Sequence, residues 1–284
     1  MVDGARPAGR AAVLGSPVAH SLSPVLHRAA YRELGLTGWS YEAIECDELR
    51  LPSLLDSLGP DWAGLSLTMP LKRAVLPLLD LLEPLAAEVG AANTVVFAGG
   101  QRRGFNTDVG GIVTALRQAG ATKAGNVVVL GGGATACSAL AALRAVGTVA
   151  VSVAVRAVAR ARPLLAVADR LGMQVALVDF GPALASQPWQ LLISTIPAAG
   201  AEPVAAQLRA GTLAAESVFD VIYDPWPTPL AAAAQEVGSA VISGFDMLVH
   251  QAAGQVELMT GRAAPVDAMR AAGLAELTRR RNIG

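Results

Sequence analysis

The chain has 284 residues, enough for one large domain or two moderate ones. Hydrophobic residues make up 53%, the net charge is −1 and the pI is near 6.3. That balance argues against a nucleic-acid or anionic-membrane binder, and two distant cysteines, Cys46 and Cys137, suit neither a metal site nor a disulfide framework.

In chain order, RAAVLG (10–15) predicts a short buried strand. The stretch after Arg6 and Arg10 is too short for a signal peptide, so a soluble, cytoplasmic protein is expected. Ser23-Pro24 predicts a helix start, with Ser23 as N-cap and Pro24 as first helical residue. Trp39–Glu45 predicts a strand, 47–58 a helix capped by Asp47, and 63–67 another strand. Residues 94–97 and 103–105 predict a hairpin around Gly99-Gly100.

A second unit starts near Asn106. Residues 108–119 predict a helix. The stretch 124–143 carries no charge and is long enough to span a membrane, but three glycines in its middle favour strand, turn and helix. A strand at 149–155 and a helix from about 158 to 171 follow. Then come strands QVALV, LLIST, SVFDVI and AVI, and from Gly244 onward only helix. The expected fold class is α/β: an N-terminal α/β substrate domain and a Rossmann-type domain, with C-terminal helices packing back on the first. The expected limits are 1–105 plus 244–284 for the first and 106–243 for the second.

Val127–Leu130 leads into Gly131-Gly132-Gly133-Ala134-Thr135-Ala136, a G-x-G-x-x-A turn between strand and helix. The first glycine permits the turn, and the second lets the backbone approach a pyrophosphate. The free N–H groups at Ala134 and the positive helix end suit the phosphates. The next strand ends in Val155-Arg156, with Arg160 one turn later and no acid. Arginines there suit a 2′-phosphate, which favours NADP; the plainer reading is solvated helix-start charges. Cys137, near the helix start, is a small packing residue or a thiol activated by the helix end.

Four polar clusters fall where loops should be: 15–24, 68–72, 90–94 and 106–111. Ser21 and Ser23, beside a helix start, suit a small carboxylate, and Thr68 and Asn93 suit hydroxyls. Of 22 basic residues only two are lysines, and one of them, Lys72, ends the second cluster. Reduction of a ketone by hydride leaves an alkoxide that needs a proton. An ammonium with a carboxylate can supply it, so Lys72 and Asp108 are the natural catalytic pair. Taken alone, the plainer reading of Lys72 is a solvated surface lysine. His20 and His27 are read as satisfying local hydrogen bonds.

The motifs SPVAHSLSP, LTMPLK, GAANT, NTDVGG, GGGATA, STIP, DVIYDPWPTPL and GFDMLVHQAA stand in this order along nearly the whole chain. In this the chain resembles the shikimate dehydrogenases. The resemblance implies NADPH-dependent, reversible reduction of 3-dehydroshikimate to shikimate in aromatic amino-acid biosynthesis. It implies Lys72 and Asp108 as catalytic residues. It implies Ser21, Ser23 and Tyr223 at the substrate carboxylate, with Thr68, Asn93 and Gln251 at the ring hydroxyls. It implies Met247 near the nicotinamide, and Thr195 and Gly244 lining the cofactor. The implied partners are small molecules, with no nucleic acid or membrane, and the chain a monomer or homodimer. Departures stand out: Val155-Arg156-Ala157 replaces the frequent Asn-Arg-Thr, Cys137 replaces a basic residue, and Val256 and Met259 replace aromatics. WSYEAIE has no functional reading. The rivals are a quinate/shikimate dehydrogenase that uses NAD, and a non-catalytic NADP- or shikimate-binding relative.

Overall fold

The structure is a computed structural model that describes residues 8–122, 124–156 and 161–282. Its contacts divide the chain into two compact units, Met1–Thr107 with Val249–Gly284, and Asp108–Leu248. These breaks fall slightly later than the expected limits. The second lies inside one unbroken helix, Gly244–Thr260, where no turn residue marks it.

In the first unit, β1 (Ala8–Gly15), β2 (Gly38–Glu45) and β3 (Trp62–Leu67) form a parallel set around β1. β4 (Leu81–Leu82), β5 (Thr94–Ala98) and β6 (Gln101–Phe105) complete a sheet of order β2-β1-β3-β5-β6-β4. β5 runs antiparallel to both β3 and β6. The hairpin between β5 and β6 turns at Gly99 and Gly100, with φ of 59° and 75°, which side chains other than glycine resist. Alternation along β1 sends Ala12 and Leu14 to one apolar layer and Ala11 and Val13 to the other. The first layer includes Leu51 and Leu55 from α2 (Leu51–Asp56) and Leu71 from the short α3 (Leu71–Ala74). The second includes Tyr31 from α1 (Ser23–Glu33), with Trp39, Tyr41 and Met259. α4 (Pro84–Val89) precedes β5, and α11 (Val266–Arg281) packs on α1. Gly64 makes room for this arrangement: a Cβ there would lie 2.8 Å from the Met259 side chain and 2.6 Å from the Val95 carbonyl.

Two expected caps are corrected. α1 begins at Ser23 itself, with Leu22 at the cap position. Ser21 does the cap-like work, its Oγ accepting the Ser23 N–H at 3.2 Å. Asp47 takes the Arg50 N–H at 2.9 Å and so closes a turn; the helix starts only at Leu51, where Pro52 pre-sets the first turn.

In the second unit, six parallel strands run in the order β12-β11-β10-β7-β8-β9. They are β7 (Val127–Leu130), β8 (Ala150–Ala154), β9 (Gln174–Val178), β10 (Trp189–Ser194), β11 (Ala215–Asp220) and β12 (Ala240–Ser243). This is the doubly wound dinucleotide-binding topology, with its reversal between β7 and β10. The uncharged stretch 124–143 resolves into β7, a turn and α6 (Ala134–Ala145). Among the described residues no helix is long and apolar enough to cross a membrane. The remaining helices are α5 (Asp108–Gln118), α7 (Arg162–Leu171), α8 (Ala198–Arg209) and α9 (Pro229–Glu236). Sequence reading passed over α8 and α9. Both are alanine-rich, and α8 carries Pro203 in its interior, so polarity contrast is faint. A start signal for α9 was present: Thr228 Oγ1 accepts the Ala231 N–H at 3.0 Å ahead of Pro229. α10 (Gly244–Thr260) follows β12.

Candidate functional site

The strand directions in the first sheet decide where its polar loops go. β1 and β3 are parallel and end at Gly15 and Leu67; β5, antiparallel, begins at that same edge, and β6 ends there. All four polar clusters therefore leave one edge of the sheet. Backbone bonds stitch them together: Ser16 N to Met69 O at 2.9 Å, Leu67 N to Asn93 O at 2.7 Å, Ala92 N to Lys72 O at 2.9 Å, and Asn93 N to Phe105 O at 3.0 Å. Gly15 is needed here, because a Cβ would collide with the Thr68 methyl.

Asn93, almost wholly buried, is the centre of this edge. Its Nδ2 donates to Thr107 Oγ1 at 2.9 Å and to Gln251 Oε1 at 3.3 Å. Its Oδ1 accepts from Thr107 N at 2.8 Å and Thr94 Oγ1 at 2.9 Å. Two of the expected hydroxyl ligands, Asn93 and Gln251, are thus in direct contact. Thr68 is half-buried in the adjoining loop, and Lys72 is half-buried in α3. Ser23 is buried and Ser21 half-buried at the start of α1. The loop before them is held from two sides. Glu45 accepts Ser16 Oγ at 2.6 Å and Val18 N at 3.1 Å, and Arg280 donates to His20 O at 2.8 Å.

Sequence reading missed residues behind this edge. Tyr41, Ser66 and Gln255 are buried and hydrogen-bonded in series, with His27 stacked on Tyr41. Burial holds the Tyr41 phenol well above its usual range, against its hydrogen bond to Ser66 and the pull of the Ser23 hydroxyl. A signal existed: Ser66 is a polar residue in the middle of an otherwise apolar strand, and Tyr41 and Glu45 both belong to WSYEAIE.

The second unit carries the glycine turn at the end of β7, beside the reversal of strand order. Gly131 has φ of +112°, and a Cβ there would stand 2.6 Å from Thr195 Oγ1 and 2.9 Å from Ile196 Cγ2. Thr195 reaches across the same turn, its Oγ1 donating to Leu130 O at 2.8 Å. Gly133 has open space where a Cβ would project and stands at the N-cap of α6. Gly131, Gly132, Gly133, Val155, Arg156, Phe180 and Ile196 line a cavity of about 270 Å³. A bare glycine floor before a 12-residue helix, with an exposed arginine and no acid at the end of β8, fits a dinucleotide carrying a 2′-phosphate. Val155 is buried and offers that phosphate nothing, and Arg160 lies outside the described residues. Cys137 is fully buried among the packing residues of α6.

The other expected residues of this unit have their own places. Asp108 opens α5 and is buried; Met247 is buried in α10; Tyr223 is half-buried after β11. Gly244 is buried, and a Cβ there would collide with the Val221 carbonyl. Asp220, at the end of β11, accepts Thr228 Oγ1 at 2.7 Å and Ile222 N at 3.2 Å, tying down the segment that holds Tyr223. Burial pushes its carboxyl up, against those two bonds.

Two family models match the chain. One is the shikimate dehydrogenase substrate-binding domain, over residues 13–95, and the other the shikimate 5′-dehydrogenase C-terminal domain, over residues 244–272. A curated shikimate dehydrogenase (NADP(+)) from Thermus thermophilus is 39% identical over 253 residues, or 89% of this chain and 92% of that protein. The chain belongs to the shikimate dehydrogenase family. Solved shikimate dehydrogenases share the fold. The Mycobacterium tuberculosis crystal structure is 44% identical with a TM-score of 0.84, covering 94% of this chain and 99% of that one. A Thermus thermophilus structure in complex with NADP(H) and shikimate is 33% identical with a TM-score of 0.79, covering 94% and 99%.

Proposed function

We propose that this chain is an NADP-dependent shikimate dehydrogenase, an oxidoreductase that reversibly reduces 3-dehydroshikimate to shikimate in aromatic amino-acid biosynthesis. Family membership across nearly the whole chain carries the reading, and the glycine floor with Arg156 supports the cofactor. We further read it as a cytoplasmic enzyme, a monomer or homodimer.

When bound, NADPH supplies the hydride, and everything else falls to side chains. Ser21 and Ser23, with Tyr223, are the proposed holders of the substrate carboxylate. Thr68, Asn93 and Gln251 are the proposed ligands of the ring hydroxyls. Lys72 and Asp108 are the proposed catalytic residues. A compact ammonium can hydrogen-bond an oxygen as negative charge grows on it and then release a proton to it. A carboxylate can accept a hydrogen bond from a hydroxyl and favour the protonated amine. The backbone at Gly131, Gly133 and Ala134 is the proposed pyrophosphate cradle, with Arg156 and Arg160 at the 2′-phosphate. Thr195, Gly244 and Met247 are the proposed nicotinamide-side residues.

Purified protein mixed with shikimate and NADP⁺ should generate near-ultraviolet absorbance from reduced nicotinamide. NAD⁺ and quinate run in parallel. The buried, non-bonding Val155 favours testing NAD⁺ closely. Equal turnover with NAD⁺ or quinate would make the protein a broader quinate/shikimate dehydrogenase. A folded sample with no turnover on any pair would leave a binding protein without catalysis.

A further inference from the structure

Behind Asn93 lies a chain of hydrogen bonds with one direction. Tyr41 OH is 2.6 Å from Ser66 Oγ, and Ser66 Oγ is 2.7 Å from Gln255 Oε1. Gln255 Nε2 reaches Asn93 O at 3.2 Å and Thr94 Oγ1 at 3.1 Å. Thr94 Oγ1 is 2.9 Å from Asn93 Oδ1. Each hydroxyl has one hydrogen to give. Asn93 O can only accept, so the Gln255 amide must turn its NH2 toward it and its oxygen toward Ser66. Ser66 then gives its hydrogen to Gln255, and Tyr41 gives its own to Ser66. Thr94, accepting from Gln255, gives its hydrogen to Asn93 Oδ1. His27 Nε2 also meets Gln255 Oε1, at 3.3 Å, and must carry its hydrogen there.

The consequence reaches the candidate substrate ligands. With Oδ1 taken by Thr94 and by the Thr107 N–H, the Asn93 amide presents its NH2 to Gln251 Oε1 and Thr107 Oγ1. A reversed Asn93 would set its oxygen against Gln251 Oε1 and its NH2 against the Thr107 N–H. Gln255 is buried, and both ends of its amide are spent on Ser66, His27, Asn93 O and Thr94.

We propose that Gln255 is a positioning residue for the substrate: oriented by Tyr41 and Ser66, it acts through Thr94 and the Asn93 carbonyl and, together with the Thr107 N–H, holds Asn93 as a hydrogen-bond donor toward a polyol acid. This rests on the proposed function, and it deepens that reading by assigning donor and acceptor at one ligand. Both Asn93 amide hydrogens are held here by Gln251 and Thr107, so a substrate hydroxyl that replaces the longer contact to Gln251 is the acceptor of that bond.

The test is Gln255→Leu, with Tyr41→Phe and the double variant, assayed with shikimate and NADP⁺ varied separately. The expected result is a shikimate KM raised about tenfold in Gln255→Leu, the size of effect that loss of one or two buried hydrogen bonds brings. The KM for NADP⁺ should stay within about twofold, because the glycine turn is not part of this chain. The double variant should be little worse than Gln255→Leu alone, since both cut one chain. An unchanged shikimate KM, or parallel rises in both KM values, would overturn the proposal. If Gln255→Leu does not fold, Ser66→Ala breaks the same chain with a smaller volume change and decides by the same readings. Inactive wild-type protein would overturn the function instead. A crystal structure of the variant then decides the network separately: a turned or displaced Asn93 amide supports it, and an unmoved one sinks it.

Discussion

The His27 imidazole lies flat on the Tyr41 ring, with centroids 3.9 Å apart and planes 18° from parallel. The pair joins α1, which carries His27, to the apolar layer that holds Tyr41, and His27 is fully buried. Burial pulls its pKa from 6.5 to about 3, against the raising effect of its bond to Gln255. The folded state thus refuses a proton that the unfolded chain accepts below about pH 6.5. Stability from this source is complete above that pH and drains away as pH falls toward 3, by up to about 1.4 kcal/mol per pH unit. His27→Phe keeps a ring over Tyr41 but cannot titrate. Urea midpoints at neutral and mildly acidic pH should fall less in this variant than in the wild type. Equal falls would mean that His27 is not the group being protonated.

Gly131 and Gly133 should separate folding from cofactor binding. Gly131→Ala puts a side chain at φ of +112° and 2.6 Å from Thr195 Oγ1, so the melting temperature should drop, with a cost of about 1–3 kcal/mol. Gly133→Ala meets nothing within 4 Å and has φ of −79°, so its melting temperature should hold. Its methyl group projects from the floor where a pyrophosphate would lie, and NADP⁺ affinity should fall. Thermal shift with and without NADP⁺ reads both effects. Undiminished NADP⁺ binding by Gly133→Ala would move the cofactor elsewhere.

Lys72→Ala should lower kcat by about 10²–10⁴, the range for a lost general acid or base, while shikimate binding persists. Lys72→Arg should not restore turnover. A guanidinium is planar, spreads its charge and does not release its proton near neutral pH. Steady-state rates with calorimetric binding of shikimate check both variants, and a kcat within a few-fold of wild type would remove Lys72 from the chemistry.

Arg156 is exposed at the rim of the glycine cavity. Arg156→Ala should raise the KM for NADP⁺ about tenfold or more, the scale of a lost charge-assisted hydrogen bond, and leave NAD⁺ unaffected. A parallel change with both cofactors would show that Arg156 does not read the 2′-phosphate.

Most strands were legible because their apolar runs are short and bounded by turn residues. RAAVLG, WSYEAIE, AGLSL and VVVL became β1, β2, β3 and β7, with ends moved by two residues at most. The glycine turn was legible because each glycine has a separate steric reason to be there. α8 and α9 were not, since alanine satisfies a buried face and an exposed face alike. Nor were the caps: Ser23 follows the pattern of a cap residue, but the helix already includes it and Leu22 stands at the cap position.

The sequence alone determined the α/β class, the dinucleotide turn and the family, because each is carried by local spacing or by motifs in order. It also marked Lys72, by contrast with a chain whose basic residues are otherwise almost all arginine. Only the tertiary structure decided that Asn93 meets Gln251, that Glu45 and Arg280 clamp the first loop, and that Tyr41, Ser66 and Gln255 form one chain. The reason is distance along the chain. Asn93 and Gln251 are 158 residues apart, and Ser66 and Gln255 are 189. No local pattern records which way a buried amide must face; that is set by the partners the fold brings to it.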